Sequence, residues 1–194
     1  MNIQTIKQEP VSTFSRRQFV QAGLIAAAAS VMPWPAWAYQ QLMADRPERF
    51  LSLMNTHTGE KLCKVVYWQQ GSYLEPSLQE IDYLLRDHRT DQVSRIDAGA
   101  LDLMFALREK FPVTQPFEII SGYRSPETNQ LLQRSSSGVA KHSYHMLGQA
   151  IDLRLPGVSL KTLRKAALQM RRGGVGYYPK SDFIHVDTGP VRSW

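Results

Sequence analysis

Residues 143–152 read Ser-Tyr-His-Met-Leu-Gly-Gln-Ala-Ile-Asp, and this stretch decides what the rest of the fold must support. Gly148 permits a sharp turn after His145, because glycine adopts backbone conformations that other residues avoid. Residues 150–155 then alternate as a β-strand, which places Asp152 on the face opposite its apolar neighbours. Since a buried carboxylate is costly unless it is paired or binds a metal, the stretch predicts a strand that carries a functional acid.

A second short strand carries a matching pair of polar residues. In Phe-Ile-His-Val-Asp, residues 183–187, His185 and Asp187 share one strand face. Two histidines and one carboxylate, with a fourth position left for water, are the usual ligands of a catalytic zinc ion. Taken singly, His145 also fits a hydrogen-bonded structural histidine, and Asp152 an ion-paired acid. Their occurrence with His185 favours one shared zinc site.

The remaining patterns predict an α+β domain over residues 39–194, with a small antiparallel sheet that carries the zinc site and is flanked by helices. A turn at 58–60 joins β-rich runs into a hairpin. Helix starts are predicted from a capping box at Ser77 and from single capping residues. The predicted strands are 49–55, 62–68, 117–120, 150–155, 175–178 and 183–187, and the other helix caps are Asp97, Ser125 and Ser159.

Residues 1–38 have the pattern of an export signal rather than of a folded element. Arg16 and Arg17 stand in Ser-Arg-Arg-Gln-Phe-Val, a short apolar stretch follows, and Ala-Trp-Ala at 36–38 is a small-x-small cleavage pattern. We expect the twin-arginine translocase to export the protein to the periplasm, with the mature chain beginning near Tyr39. The apolar stretch is too short for a stable membrane anchor. An ordinary Sec signal and an uncleaved anchor are the alternatives.

The composition excludes several other classes of function. The net charge of +6 is a mild basic excess without an arginine and lysine cluster among aromatics, so we expect no nucleic-acid partner. The chain lacks a glycine-rich phosphate loop and a G-x-S-x-G nucleophile motif. The single cysteine, Cys63, lies in an apolar-rich run and is predicted to be a buried structural thiol. His57, His88 and His142 have polar neighbours and are predicted to be surface residues.

The motif S-x-H-x-x-G-x-A-x-D at 143–152, followed by His185, resembles the zinc-site signature of the LAS metallopeptidases. Ser-Gly-Tyr-Arg-Ser at 121–125 is similar to the arginine motif of that family. The resemblance covers roughly residues 115–190, and the segments 173–179 and 185–190 are most similar to its murein endopeptidases. It implies that His145, Asp152 and His185 are the Zn²⁺ ligands.

The resemblance also implies roles for three further residues. Arg124 corresponds to the arginine that steadies the developing oxyanion, a role that suits a permanently charged, planar group. Many relatives have a glutamate as general base three residues before the last histidine ligand, and here that position holds Asp182. Aspartate is shorter, and strict alternation would turn it away from His185. The base is therefore either Asp182 or Asp187, and Asp187 is also placed to orient His185.

The function implied is that of a zinc-dependent murein endopeptidase in the periplasm. Its substrate would be the peptide cross-links of peptidoglycan, particularly those that join two meso-diaminopimelate residues. A carboxypeptidase that trims stem peptides would use the same ligands, so it is the first alternative. A non-catalytic wall-binding module with a structural zinc ion is the second.

Overall fold

The computed structural model of the protein describes residues 36–135 and 139–194. The twin-arginine motif of the predicted signal lies outside these residues, whereas the Ala-Trp-Ala pattern falls at the start of the first helix, Ala36–Asp45. Within the described ranges, no helix combines the length and apolar character needed to cross a membrane. Contacts within the chain group Trp34–Trp194 as one compact unit.

One mixed sheet of eight strands forms the centre of this unit. Its spatial order is β3-β2-β1-β4-β5-β7-β6-β8. The strands are β1 Glu48–Asn55, β2 Lys61–Gln69, β3 Ser72–Tyr73, β4 Phe117–Ser121, β5 Ala150–Arg154, β6 Gly174–Tyr178, β7 Phe183–Asp187 and β8 Arg192–Ser193. Neighbours are antiparallel except for the parallel pairs β1–β4 and β6–β8. The predicted hairpin is confirmed as β1 and β2.

The α+β class is confirmed, but the sheet is larger than predicted and is not purely antiparallel. Two strands, β3 and β8, are only two residues long, so side-chain alternation could not reveal them. The parallel pairing of β1 with β4 depends on a long crossover through two helices, which is how parallel neighbours are usually joined. A pattern of alternating residues predicts strands but not which strands lie side by side.

Five α-helices lie within the described residues: α1 Ala36–Asp45, α2 Glu75–Leu84, α3 Ala98–Arg108, α4 Pro126–Ser135 and α5 Leu160–Met170. Three predicted caps are confirmed, because the side chains of Asp97, Ser125 and Ser159 accept backbone N–H groups at the starts of α3, α4 and α5. The capping box at Ser77 is wrong. Helix α2 begins at Glu75, because Pro76 suits the first turn, where its missing N–H has no intrahelical partner.

The hydrophobic core lies on one face of the sheet, and the other face is left for polar residues. Ile151, Leu153, Ile184 and Val186 are buried in the core together with apolar residues of α2, α3 and α5. Because strand residues alternate, Asp152 and its neighbours on β7 project from the opposite face. The predicted division of β5 into an apolar face and a polar face is therefore confirmed.

Cys63 is exposed rather than buried. The pairing of β1 with β2 shifts between Leu51 and Leu53, where Cys63 and Lys64 both lie opposite Ser52. Lys64 has a φ of 50°, and its N–H donates to Ser52 Oγ at 3.0 Å. This bulge interrupts the alternation of β2 and turns Cys63 outward, which the apolar composition of the run could not indicate.

Two glycines hold the loops beside the polar face in place. Gly148 has a φ of +67°, and a Cβ there would lie 2.1 Å from the carbonyl oxygen of Arg95. A Cβ on Gly122 would lie 2.4 Å from the carbonyl oxygen of Leu85. Larger residues would force the backbone apart at both points. The turn that carries His145 and the turn before Arg124 are thus packed directly against the segment that joins α2 to α3.

Candidate metal centre

Three predicted ligands come together on the polar face of the sheet. His145 lies in a 3₁₀ turn, Tyr144–Leu147, while Asp152 on β5 pairs directly with His185 on β7. His145 Nε2 lies 3.2 Å from both Asp152 Oδ1 and His185 Nδ1, and the last two atoms are 2.9 Å apart. All three residues are buried.

This triangle of atoms has the size that a tetrahedral zinc site needs. With bonds of about 2.0–2.1 Å, two ligand atoms in such a site lie about 3.3 Å apart. The observed separations of 2.9–3.2 Å are close to that value. Nitrogen and oxygen donors in this combination suit zinc well. Within the described residues this is also the one group of three or more potential ligands.

Each of the two histidines has one ring nitrogen that faces away from the triangle, and the partner of this outer nitrogen indicates where the ring carries its proton. His145 Nδ1 lies 2.7 Å from the carbonyl oxygen of Gly122, and His185 Nε2 lies 2.9 Å from Asp187 Oδ2. Both oxygens only accept hydrogen bonds, so we assign a proton to each outer nitrogen. When both imidazoles are neutral, as a metal ligand must be, the inner nitrogens present lone pairs to each other and to Asp152. Three converging electron pairs favour a bound cation.

The charges around His185 also favour a positive centre. Burial lowers the pKa of His185, but its hydrogen bonds to the carboxylates of Asp152 and Asp187 outweigh this effect and raise it to about 9. For Asp152, burial raises the pKa, because it disfavours the charged carboxylate. The two neighbouring histidines more than reverse this effect, so the pKa of Asp152 falls well below the usual range. The site therefore stabilises positive charge among its buried donors.

Asp187 holds His185 in place and is itself held by several donors. It is fully buried and accepts hydrogen bonds from the N–H groups of Gly174 and Gly189, both at 2.9 Å. Arg192 binds both of its oxygens, at 3.0 and 2.7 Å. Burial raises the pKa of Asp187, but His185 and Arg192 lower it well below the usual value. Arg192 was not predicted from the sequence. The only indication of its role was a positive charge five residues after Asp187.

Arg124 lies beside the three ligands, as the family resemblance implied. Its backbone N–H donates to the carbonyl oxygen of His145 at 3.1 Å, and its guanidinium Nη2 lies 3.6 Å from Asp152 Oδ2. The other contacts of the guanidinium are long, at 3.4 Å to Ser121 Oγ and 3.5 Å to Asn129 Oδ1. Burial lowers the pKa of Arg124. The N–H groups of its guanidinium therefore lie close to the centre and make only long contacts.

Asp182 is not part of the group formed by the three candidate ligands. Its φ of 54° places it in the left-handed region, just before β7 begins at Phe183. Its carboxylate binds Arg154 Nη1 at 3.1 Å, and 66% of its side chain is exposed. Arg154 shares the strand face of Asp152, two residues further along β5. The unusual φ therefore returns Asp182 to the polar face, which strict alternation did not predict.

The other three histidines lie outside the centre. His57 and His142 are exposed, as predicted, and His88 is partly buried. The rings of His57 and His88 stack with centroids 3.8 Å apart. Burial, together with the neighbouring His57, lowers the pKa of His88 to about 4. The stacked rings form a packing contact.

Comparison with known proteins identifies the family. The family model described as "Peptidoglycan L,D-endopeptidase MepK" matches residues 43–194. The protein of that name from Escherichia coli (strain K12) is 43% identical over 180 residues, which cover 93% of this chain and 97% of the relative. The "Probable peptidoglycan L,D-endopeptidase MepK" of Haemophilus influenzae is 41% identical over 182 residues, 93% of this chain and 95% of the relative. The chain therefore belongs to the MepK family of peptidoglycan L,D-endopeptidases.

Proposed function

We propose that this protein is a zinc-dependent murein endopeptidase, with His145, Asp152 and His185 as the metal ligands. The observation that carries the proposal is the buried triangle of inward-facing donor atoms in a member of this family. The relatives are named for cleavage at a bond between an L and a D centre. A cross-link between two meso-diaminopimelate residues contains such a bond, so we take it as the preferred substrate.

The residues around the ligands have separate tasks in this mechanism. Zinc, when bound, is a Lewis acid that polarises the scissile carbonyl group. Asp187 and the Gly122 carbonyl orient the two histidines through their outer nitrogens. Arg124 donates hydrogen bonds to the carbonyl oxygen as negative charge develops on it, and its weak contacts in the free enzyme leave donors available.

The contacts of the two candidate bases favour different roles for them. Asp187 accepts hydrogen bonds from backbone, Arg192 and His185, so a proton taken by it would displace one of these donors. We therefore assign Asp187 to the orientation of His185. Asp182 has the freer carboxylate, because among the described residues it binds only Arg154 and 66% of its side chain is exposed. Asp182 is thus the candidate that we propose as general base.

The purified mature protein should bind about one zinc ion per chain and convert dimeric muropeptides into monomers. Hydrolysis adds one water per cross-link, so mass spectrometry of the products tests the reaction, and a chelator should stop it. His145→Ala should lose both zinc and turnover, whereas His142→Ala, in an exposed position, should retain both. Shortened stems instead of monomers would identify a carboxypeptidase. Retained zinc without any turnover would identify a wall-binding module.

Arg124→Lys should retain the fold and the zinc while kcat falls by about 10²–10³, the usual loss when one oxyanion donor is removed. Lysine keeps the charge but not the planar fork, so it cannot fully replace the guanidinium. Steady-state cleavage of a dimeric muropeptide and thermal unfolding of the same preparation test this expectation. Arg134→Lys, at an exposed position on α4, is the matched control. Loss of activity in proportion to loss of folded protein would contradict the catalytic role.

Asp182→Asn should retain zinc and lose about 10²-fold or more in kcat, because a general base typically contributes that much. Asp187→Asn should instead weaken zinc binding about 10–100-fold, since it disturbs the residue that orients a ligand. Zinc titration and single-turnover cleavage of both variants separate the two roles. Turnover of Asp182→Asn at the parent rate would show that Asp182 serves only as an ion-pair partner of Arg154.

We also propose that residues 1–38 direct the protein through the twin-arginine translocase to the periplasm, where its substrate lies. Replacement of Arg16 and Arg17 by lysine should leave the precursor in the cytoplasm, because that translocase recognises the arginine pair itself. Cell fractionation and immunoblotting of parent and variant would measure this. Normal periplasmic maturation of the variant would indicate export by the Sec route instead.

A further inference from the structure

Two aromatic side chains cover the sheet beside His185. Gly176 on β6 pairs directly with His185 on β7, and it has no side chain to fill the space next to the imidazole. A Cβ on Gly176 would lie 2.8 Å from atoms of both Tyr178 and Trp194. The Trp194 ring is tilted by 49° to the His185 ring, with centroids 5.2 Å apart. The glycine thus allows these two rings to lie against the wall of the metal centre.

The hydroxyl group of Tyr178 is held as a directed donor. Trp194 Nε1 donates a hydrogen bond to its oxygen at 2.8 Å. An indole N–H cannot accept, so the tyrosine oxygen is the acceptor and its own proton remains to be donated. No other residue in the described part of the chain accepts that proton. The ring is fixed by stacking on Phe183, with centroids 4.6 Å apart.

Tyr178 and Arg124 approach the same region from two sides. Arg124 reaches Asp152 from the loop after β4, whereas Tyr178 lies on β6, beyond His185. Tyr178 lies two residues along β6 from Gly176, the partner of His185, so its side chain leaves the same strand face as the metal-ligand candidates. A carbonyl group placed over the metal ligands would have one donor on each side.

We propose that Tyr178 is a second hydrogen-bond donor to the oxygen of the scissile carbonyl, and that Trp194 is the positioning residue that aims it. This inference rests on the proposed function. Tyr178 gives up no proton in this role: the attacking water adds to the carbonyl carbon, the amide C–N bond breaks, and the proton from water goes to the leaving amine. The phenol hydrogen bond shortens as the carbonyl oxygen gains negative charge.

The test compares Tyr178→Phe with Tyr177→Phe in the mature, zinc-loaded enzyme. Phenylalanine retains the ring and the stacking on Phe183 but removes the donor. We expect kcat on a dimeric muropeptide to fall about 10²-fold with KM, zinc content and Tm unchanged. Tyr177 is the matched control, because its ring packs towards the core and beneath Arg164, away from the centre. Tyr177→Phe should behave like the parent.

Two further measurements separate hydrogen bonding from packing. A phosphinate analogue of the cross-link imitates the tetrahedral transition state, so it should bind Tyr178→Phe about 10²-fold more weakly than the parent. Trp194→Phe keeps an aromatic ring against His185 but lacks the indole N–H. It should lose about fivefold in kcat, the effect of one neutral hydrogen bond, and this loss should disappear in the Tyr178→Phe background.

The outcomes distinguish this inference from the proposed function. If the parent enzyme cleaves dimers and Tyr178→Phe matches it in kcat and in affinity for the phosphinate, the role of Tyr178 is refuted and the proposed function stands. A rise in KM with kcat unchanged, or an equal loss in Tyr177→Phe, would also refute it. If the parent enzyme leaves dimers intact, the proposed function fails first and the inference fails with it.

Discussion

Three buried electron-pair donors converge on one point, where a positive charge is needed to balance them, and this constraint shapes the rest of the site. His145, Asp152 and His185 meet at separations of 2.9–3.2 Å. Two bare imidazole nitrogens cannot hydrogen-bond to each other, and a buried carboxylate needs a compensating charge. The arrangement is therefore stable only when positive charge occupies the centre. The Gly122 carbonyl and Asp187 keep the two imidazole nitrogens pointed inward.

Most of the chemistry of this site could be predicted from the sequence, because it depends on short-range spacing. The H-x6-D spacing around Gly148 and the shared strand face of His185 and Asp187 are local properties. Strand alternation then determines which side chains leave the core, and the structure agrees for β5 and β7. Helix caps at Asp97, Ser125 and Ser159 were predictable for the same reason, since each bond joins residues two or three positions apart.

The remaining features depend on contacts between distant segments or on single backbone angles. The contact of Gly122 with Leu85 joins residues far apart in the chain, and no local pattern indicates it. The direction of Asp182 follows from one positive φ, which a strand pattern does not contain. Tyr178 and Trp194 read as ordinary aromatic residues until β8 places Trp194 beside β6. Sequence patterns therefore indicated the clustered residues His145, Asp152 and His185 better than the residues packed around them.

The bulge in β2 has a consequence for the solubility of the protein. Among the described residues, the edge strand β3 pairs with only two of the nine residues of β2, so most of β2 has no strand partner on that side. Such an edge can recruit a strand from another molecule and begin aggregation. The bulge at Cys63 and Lys64 breaks the regular spacing of its hydrogen-bonding groups, and the exposed Lys61 and Lys64 add charge. The same irregularity that exposes the one thiol therefore discourages edge-to-edge association between copies of the chain.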